Sequence, residues 1–349
     1  MGKTSRFAAA LVACGSILVA CGSENSSGDE STVTTGDNVT TESAAAPVDT
    51  EPAVTEPAVT EPAVTEPAVT EPDTTAAPTT ETAAPNEIES TADVIDVPIT
   101  GGEFFFDTAG VTELPAGTIR PTFTLNADAV WDHVAMWVRV KEGHTVDEVL
   151  QAAAADFTGR TAEPLLDFYG GSNAVGPGQS QTTYLNLDPG TYILADFIPA
   201  QDGTLQPHSA KGMWQEMTVT DSARPTPDVE SEGKIVMADM TFSLPDGFDG
   251  NGVFEVRNDG DVLHEMGIVR LVDGKTSQDI ISFFDFSKGP PTGPRPYTTV
   301  GGMGALSPGK NAYIELALEP GNYALISFIT DAAFKQQLSQ GMNVEFTIE

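Results

Sequence analysis

Few side chains of this 349-residue chain could do chemistry, and they are widely spaced. There are four histidines, His133, His144, His208 and His264, and two cysteines, Cys14 and Cys21. Both cysteines lie in the first apolar stretch, so the rest of the chain offers no disulfide and no thiolate metal ligand. No Ser-His-Asp pattern, no glycine-rich phosphate loop after a strand and no HExxH helix is present. The stretch "GTYILADFIPAQDGTLQPHSAKGMWQEMTV", residues 190–219, holds the densest chemistry. There a strand after a Pro-Gly turn leads to Pro-His, then Gly-Met, then a second strand. Imidazole and thioether groups on a loop between strands are transition-metal ligands. His144, inside "KEGHT", reads as an exposed turn residue.

The rest of the chain sets where such a loop would sit. A formal charge of −35 and a pI near 4.1 exclude nucleic acid and other polyanions as partners. At the N-terminus, Lys3 and Arg6 precede "FAAALVACGSILVAC", an apolar run too short to span a bilayer comfortably, which reads as an export signal over residues 1–20. Leu18-Val19-Ala20-Cys21-Gly22 resembles a bacterial lipobox, which implies lipidation of Cys21. Leu11-Val12-Ala13-Cys14 matches the same pattern, but cleavage there would leave a much shorter apolar region. The expected location is the extracytoplasmic face of the cell membrane, with membrane lipid as a partner through the acyl chains. Residues 21–96 then turn to Thr, Ala, Pro, Ser and acid, with "EPAVT" in tandem four times from Glu51 to Thr70. Such a segment buries too little apolar surface to offset chain entropy and is expected to be a disordered, self-repelling stalk.

The remainder contains a duplication. The interval from His133 to Gly190 equals that from His264 to Gly321, and the copies end alike in "GMWQEMTV" and "GMNVEFTI". The proline- and acid-rich 221–233 segment separates them, which divides the chain into domains 97–225 and 226–349. In each copy, short runs such as "HVAMWVRV" and "HEMGIVRL" are rich in β-branched residues and bounded by Gly and Pro. They predict an all-β fold of two tandem Greek-key sandwiches. One short helix interrupts each, opened by Thr145 with Glu148 and by Thr276 with Asp279, and is expected to cross over between strands.

Each copy is similar to a cupredoxin domain, the sandwich of plastocyanin and azurin. The resemblance rests on "NADAVWDH" (Asn126 to His133), "NDGDVLH" (Asn258 to His264) and the paired Pro-Gly-x-Tyr and Gly-Met endings. It implies a copper site of two histidines, a cysteine and an axial methionine. In the first copy His133, His208 and Met213 match by order, and the cysteine position falls on Asp196. In the second, the matching places hold His264, Ser327, no second histidine, and Met342. Neither copy can make a blue copper centre, and the second holds no metal. Two readings of the first stay open. His133, His208, Asp196 and Met213 form a nitrogen and oxygen set for Cu(II) or Zn(II), or they are a structural remnant with no cofactor, His208 being carried to the surface by the long loop after Asp196. Trp131, Trp137 and Trp214 either cap the core or line a recognition patch. The sequence favours a surface-displayed scaffold with an unidentified extracellular ligand, the alternative being a copper carrier or buffer. It further leads us to expect that the chain is not an enzyme, because the two-domain copper oxidases need a blue centre and many more histidines.

The anchoring expectation has a direct check. Cys21→Ser should move the protein from the membrane fraction to the soluble fraction, because the acyl acceptor is gone. Retention with Cys14 intact would shift the assignment to Cys14, and retention with both replaced would refute it.

Overall fold

The computed structural model describes residues 94–349 except 157, 222–226, 286, 288–290, 332 and 334. The signal, Cys21, nearly all of the stalk and part of the segment between the copies lie outside the described residues. Among the described residues no helix is long and apolar enough to cross a membrane.

The first half runs β1 (Ile95–Gly102), β2 (Phe105–Asp107), β3 (Glu113–Pro115), β4 (Gly117–Leu125), β5 (His133–Val140), α1 (Val146–Ala155), β6 (Leu166–Val175), β7 (Ser180–Leu187), β8 (Gly190–Ala195) and β9 (Trp214–Thr220). The second half repeats the order with β10 (Gly233–Ala238), β11 (Thr241–Ser243), β12 (Asn251–Asn258), β13 (His264–Leu271), α2 (Ser277–Phe283), β14 (Tyr297–Leu306), β15 (Asn311–Ala317), β16 (Gly321–Ile326) and β17 (Asn343–Ile348). Nothing in the second half pairs with β17 as β3 pairs with β9 among the described residues. The fold is all-β: two tandem β-sandwiches, each with one inserted helix.

Alternation along the strands explains the layers. In β4, Gly117–Leu125, buried and half-buried positions alternate over the second part of the strand, and Ile119, Phe123 and Leu125 face a shared core. That core is continuous across both halves, from Val97, Trp137 and Leu194 to Ile235, Met266 and Leu325. Both helices start as their sequence suggests. Glu148 and Thr145 cap each other reciprocally, with Glu148 N donating to Thr145 Oγ1 at 3.2 Å and Thr145 N to Glu148 Oε2 at 2.9 Å. Asp279 accepts the N–H and the hydroxyl of Thr276, each at 3.0 Å. The expectation of a crossover needs correcting. β5 and β6 are antiparallel neighbours, as are β13 and β14, so each helix is an excursion within the connection of adjacent strands.

The halves join edge to edge. One sheet reads β11-β10-β12-β15-β7-β4-β1-β2 and the other β17-β16-β13-β14-β6-β5-β8-β9-β3. At the seam Thr183 pairs with Ile314 and Ser172 with Met303. Counted from His133 and His264, the members of each pair hold the same place in their halves. Equivalent strands therefore meet about a pseudo-two-fold axis, the geometry of an isologous interface, and the two seams cover four otherwise open sheet edges. Close approach beside the seam demands glycine. At Gly302, with φ +128°, a Cβ would lie 2.1 Å from the Met266 carbonyl oxygen, and its counterpart Gly171 stands in the same relation to Ala135.

One acid is buried at this seam. Glu265 of β13 accepts from Phe328 N at 2.8 Å and from Asn173 Nδ2 of β6 at 3.2 Å. Burial pushes its carboxyl above the ordinary glutamate value, and the hydrogen bonds only partly oppose that shift. A raised acid contributes full stability below its unfolded value of about 4.3 and loses it as pH rises through the folded value. Glu265→Gln removes the ionisation and keeps one oxygen for Phe328 N, while giving up the bond from Asn173 Nδ2. Relative to the parent it should therefore gain on the order of 1–2 kcal/mol as pH rises from about 4 to 8. Denaturant unfolding of both proteins across pH checks this, and equal pH dependence would show that Glu265 is not held as the acid.

Candidate metal centre

Four segments deliver the side chains at one end of the first half. His133 opens β5, Asp196 follows the last residue of β8, His208 opens a short 3₁₀ turn (His208–Lys211), and Met213 precedes β9. Gly212, with φ +111°, reverses the chain between the last two. The loop after Asp196 does not carry His208 to the surface, contrary to expectation. Pro199 and Pro207 bridge, Ala200 N bonds Gln206 O at 2.8 Å, and His208 N bonds Ile198 O at 2.9 Å, so residues 199–207 form a closed excursion. Its two ends stay side by side. Ser209 N then bonds Asp196 O at 2.7 Å, and Asp196 N bonds Met213 O at 3.1 Å.

His133, Asp196 and His208 are accordingly buried together, with at most 1% exposure. One nitrogen or oxygen from each lies within 4.8 Å of the others. Asp196 Oδ2 is 2.8 Å from His133 Nδ1 and 3.0 Å from His208 Nδ1, and the imidazole centroids are 4.6 Å apart. Val134 N reaches the same oxygen at 3.3 Å and Ile198 N reaches Oδ1 at 2.8 Å. An ionised carboxylate only accepts, so both Nδ1 atoms carry protons toward it. Burial alone would raise the Asp196 carboxyl, but the hydrogen bonds and charge of the two imidazoles hold it below its ordinary value. Burial likewise opposes the charge of His133, yet Asp196, with help from Glu103, raises it. The centre thus sets one buried carboxylate against two imidazoles. Met213 is fully buried in the main core.

Two imidazole nitrogens and a carboxylate oxygen, buried together, suit Zn(II) or Cu(II). The blue-copper set does not fit, because an oxygen donor stands where its thiolate would be. Aromatic groups close the site from outside. Trp131 stacks on His208 at 5.8 Å and 9°, and Phe104, at φ +65°, presents its edge to His208 at 5.3 Å. Trp137 is wholly buried and Trp214 half-buried, so the three tryptophans divide between core and site cover. Sequence reasoning missed Phe104 and Glu103, which sit on a turn far from any histidine in the chain.

The second half builds the same corner from neutral groups. Gln337 takes the place of His208, since its N–H bonds Ile329 O and Met342 N bonds its carbonyl, as in the first half. Its Oε1 accepts from His264 Nδ1 at 3.0 Å and from Ser327 Oγ at 2.8 Å, while Nε2 donates to Leu263 O at 2.8 Å. His144 is exposed near Glu148, away from both corners.

No protein-family model and no curated protein matches the chain. Among solved structures it is similar to an auracyanin of Roseiflexus castenholzii at 23% identity and a TM-score of 0.25, covering 37% of this chain and 97% of that one. It is also similar to a copper nitrite reductase of Nitrosomonas europaea, at 14% identity and a TM-score of 0.23, over 73% of this chain and 94% of that chain. A multicopper oxidase matches at 14% identity and a TM-score of 0.20, over 73% and 88% respectively. Two of these are enzymes by name, and the expectation that this chain is not an enzyme is not retained.

Proposed function

We propose that the chain is a lipid-anchored protein of the extracytoplasmic face. In this reading it displays a duplicated cupredoxin-like scaffold on an acidic stalk, with copies 97–225 and 226–349. The first copy binds one divalent transition-metal ion without a thiolate, and the second is a metal-free partner. The observation that carries the reading is the convergence of His133, Asp196 and His208, buried and within 4.8 Å of one another. A bound ion would draw on the two imidazoles and the Asp196 carboxylate, and its positive charge would compensate that buried carboxylate. Blue-copper electron transfer is not part of this reading, because no sulfur other than methionine occurs after Cys21.

Uptake must displace the Nδ1 protons, so affinity should rise with pH. Titration of the metal-stripped protein with Cu(II) against a weak competing chelator should give one equivalent and no intense visible charge-transfer band. Binding should fall at least tenfold between pH 8 and pH 6, and should be lost in His133→Ala, His208→Ala and Asp196→Asn. Two equivalents, or binding that survives these substitutions, would show the ligand set to be wrong. No uptake against the chelator would leave a proton-filled structural corner.

A further inference from the structure

His133 has a carboxylate on each side of its ring. Asp196 meets Nδ1 from within, and Glu103 Oε1 lies 3.6 Å from Nε2 on the other side. Nε2 is buried and makes no hydrogen bond, and a buried polar atom in that state is costly unless a partner can reach it. Glu103 is well placed to be that partner. It occupies the two-residue turn between β1 and β2, and its Oε1 is held by Val130 N at 2.5 Å and Trp131 N at 3.2 Å. The next residue is Phe104, whose ring covers both histidines. One turn therefore brings a charge to His133 and an apolar cover to His208.

The second half provides an internal comparison. Its matching turn carries Asp239 and Met240, and among the described residues no carboxylate lies within 4.0 Å of a nitrogen of His264. The flanking carboxylate occurs only where Asp196 and a second histidine occur.

Resting on the metal reading above, the geometry points to Glu103 as the positioning residue that makes His133 a ligand. A neutral imidazole that gives the Nδ1 lone pair to a metal must keep its proton on Nε2, where it needs an acceptor. Carboxylates paired with ligating histidines in this way fix the tautomer and raise ligand basicity. Only a small ring movement separates the present 3.6 Å from a hydrogen bond, because Glu103 is already anchored by two backbone donors.

The test compares the full chain with Glu103→Gln and Glu103→Ala. Glutamine retains an oxygen for Val130 N and Trp131 N but removes the charge, so the cover over His208 should stay in place and metal-free tryptophan fluorescence should not change. Its Zn(II) and Cu(II) affinities, measured at one pH against a chelator, should nevertheless fall about 10- to 100-fold. Alanine should lose the affinity and shift the fluorescence as well. A second measurement needs no metal: ring ¹⁵N NMR of the metal-free protein should show a slowly exchanging His133 Nε2–H, kept in Glu103→Gln, whose oxygen still faces it, and lost in Glu103→Ala. If the parent protein binds no metal but this signal is present and lost as stated, the metal reading falls and the Glu103 contact stands. If the parent binds metal and Glu103→Gln matches it in affinity, with Glu103→Ala matching it in ring signal, the role of Glu103 is overturned and the metal reading stands.

Discussion

A carboxylate buried away from water has to be met by donors or by a cation, because an uncompensated charge in a protein interior costs several kcal/mol. Asp196 sets this constraint in the first half, with no exposure at all. Its donors come from His133 and Val134 at the start of β5, from Ile198 two residues on, and from His208 at the far end of a long loop. Residues 199–207 close on themselves between the two pinned ends. If they opened, His208 would leave the corner and the carboxylate would keep three of its four donors. The aromatic cover of Phe104 and Trp131 deepens the constraint by keeping water from replacing either imidazole.

The second half meets the same steric problem without charge. Ser327 for Asp196 and Gln337 for His208 leave a hydrogen-bonded corner that is neutral and nearly satisfied. Two copies of one fold thus differ in whether their corner calls for a cation, which is a property of two side chains and not of the sandwich. Asp132, next to His133, also forms an ion pair with Arg295 of the second half, so the neutral half helps to hold the charged corner's surroundings.

Joining the halves through equivalent strands makes them one unit with a shared core. A seam of backbone hydrogen bonds is insensitive to side-chain identity, which is compatible with copies that have diverged as far as these. The side-chain hydrogen bonds that cross the seam are specific. Gln181 donates to the Glu315 carbonyl at 2.8 Å, and Asn173 bonds Glu265, which burial keeps toward its acid form.

What the amino-acid sequence determined by itself was whatever depends on local pattern and composition. The strands follow from β-branched alternation, the helix starts from Thr145 with Glu148 and Thr276 with Asp279, and the repeat from equal intervals between His133 and Gly190 and between His264 and Gly321. The want of a thiolate at the corner follows from composition alone. Which residues share the site could be read only through a resemblance, and the fate of His208 was misjudged, because loop length does not reveal whether a loop's ends are pinned together. Glu103 and Phe104 could not be read from the chain at all: they lie about thirty residues before His133 and reach it only because parallel pairing of β1 with β4 brings the β1–β2 turn to that end of the sandwich. The fusion of both sheets across the halves was equally hidden. Edge-to-edge pairing uses backbone groups that every residue carries, so it leaves no signature in side-chain order, and only the tertiary structure decided it.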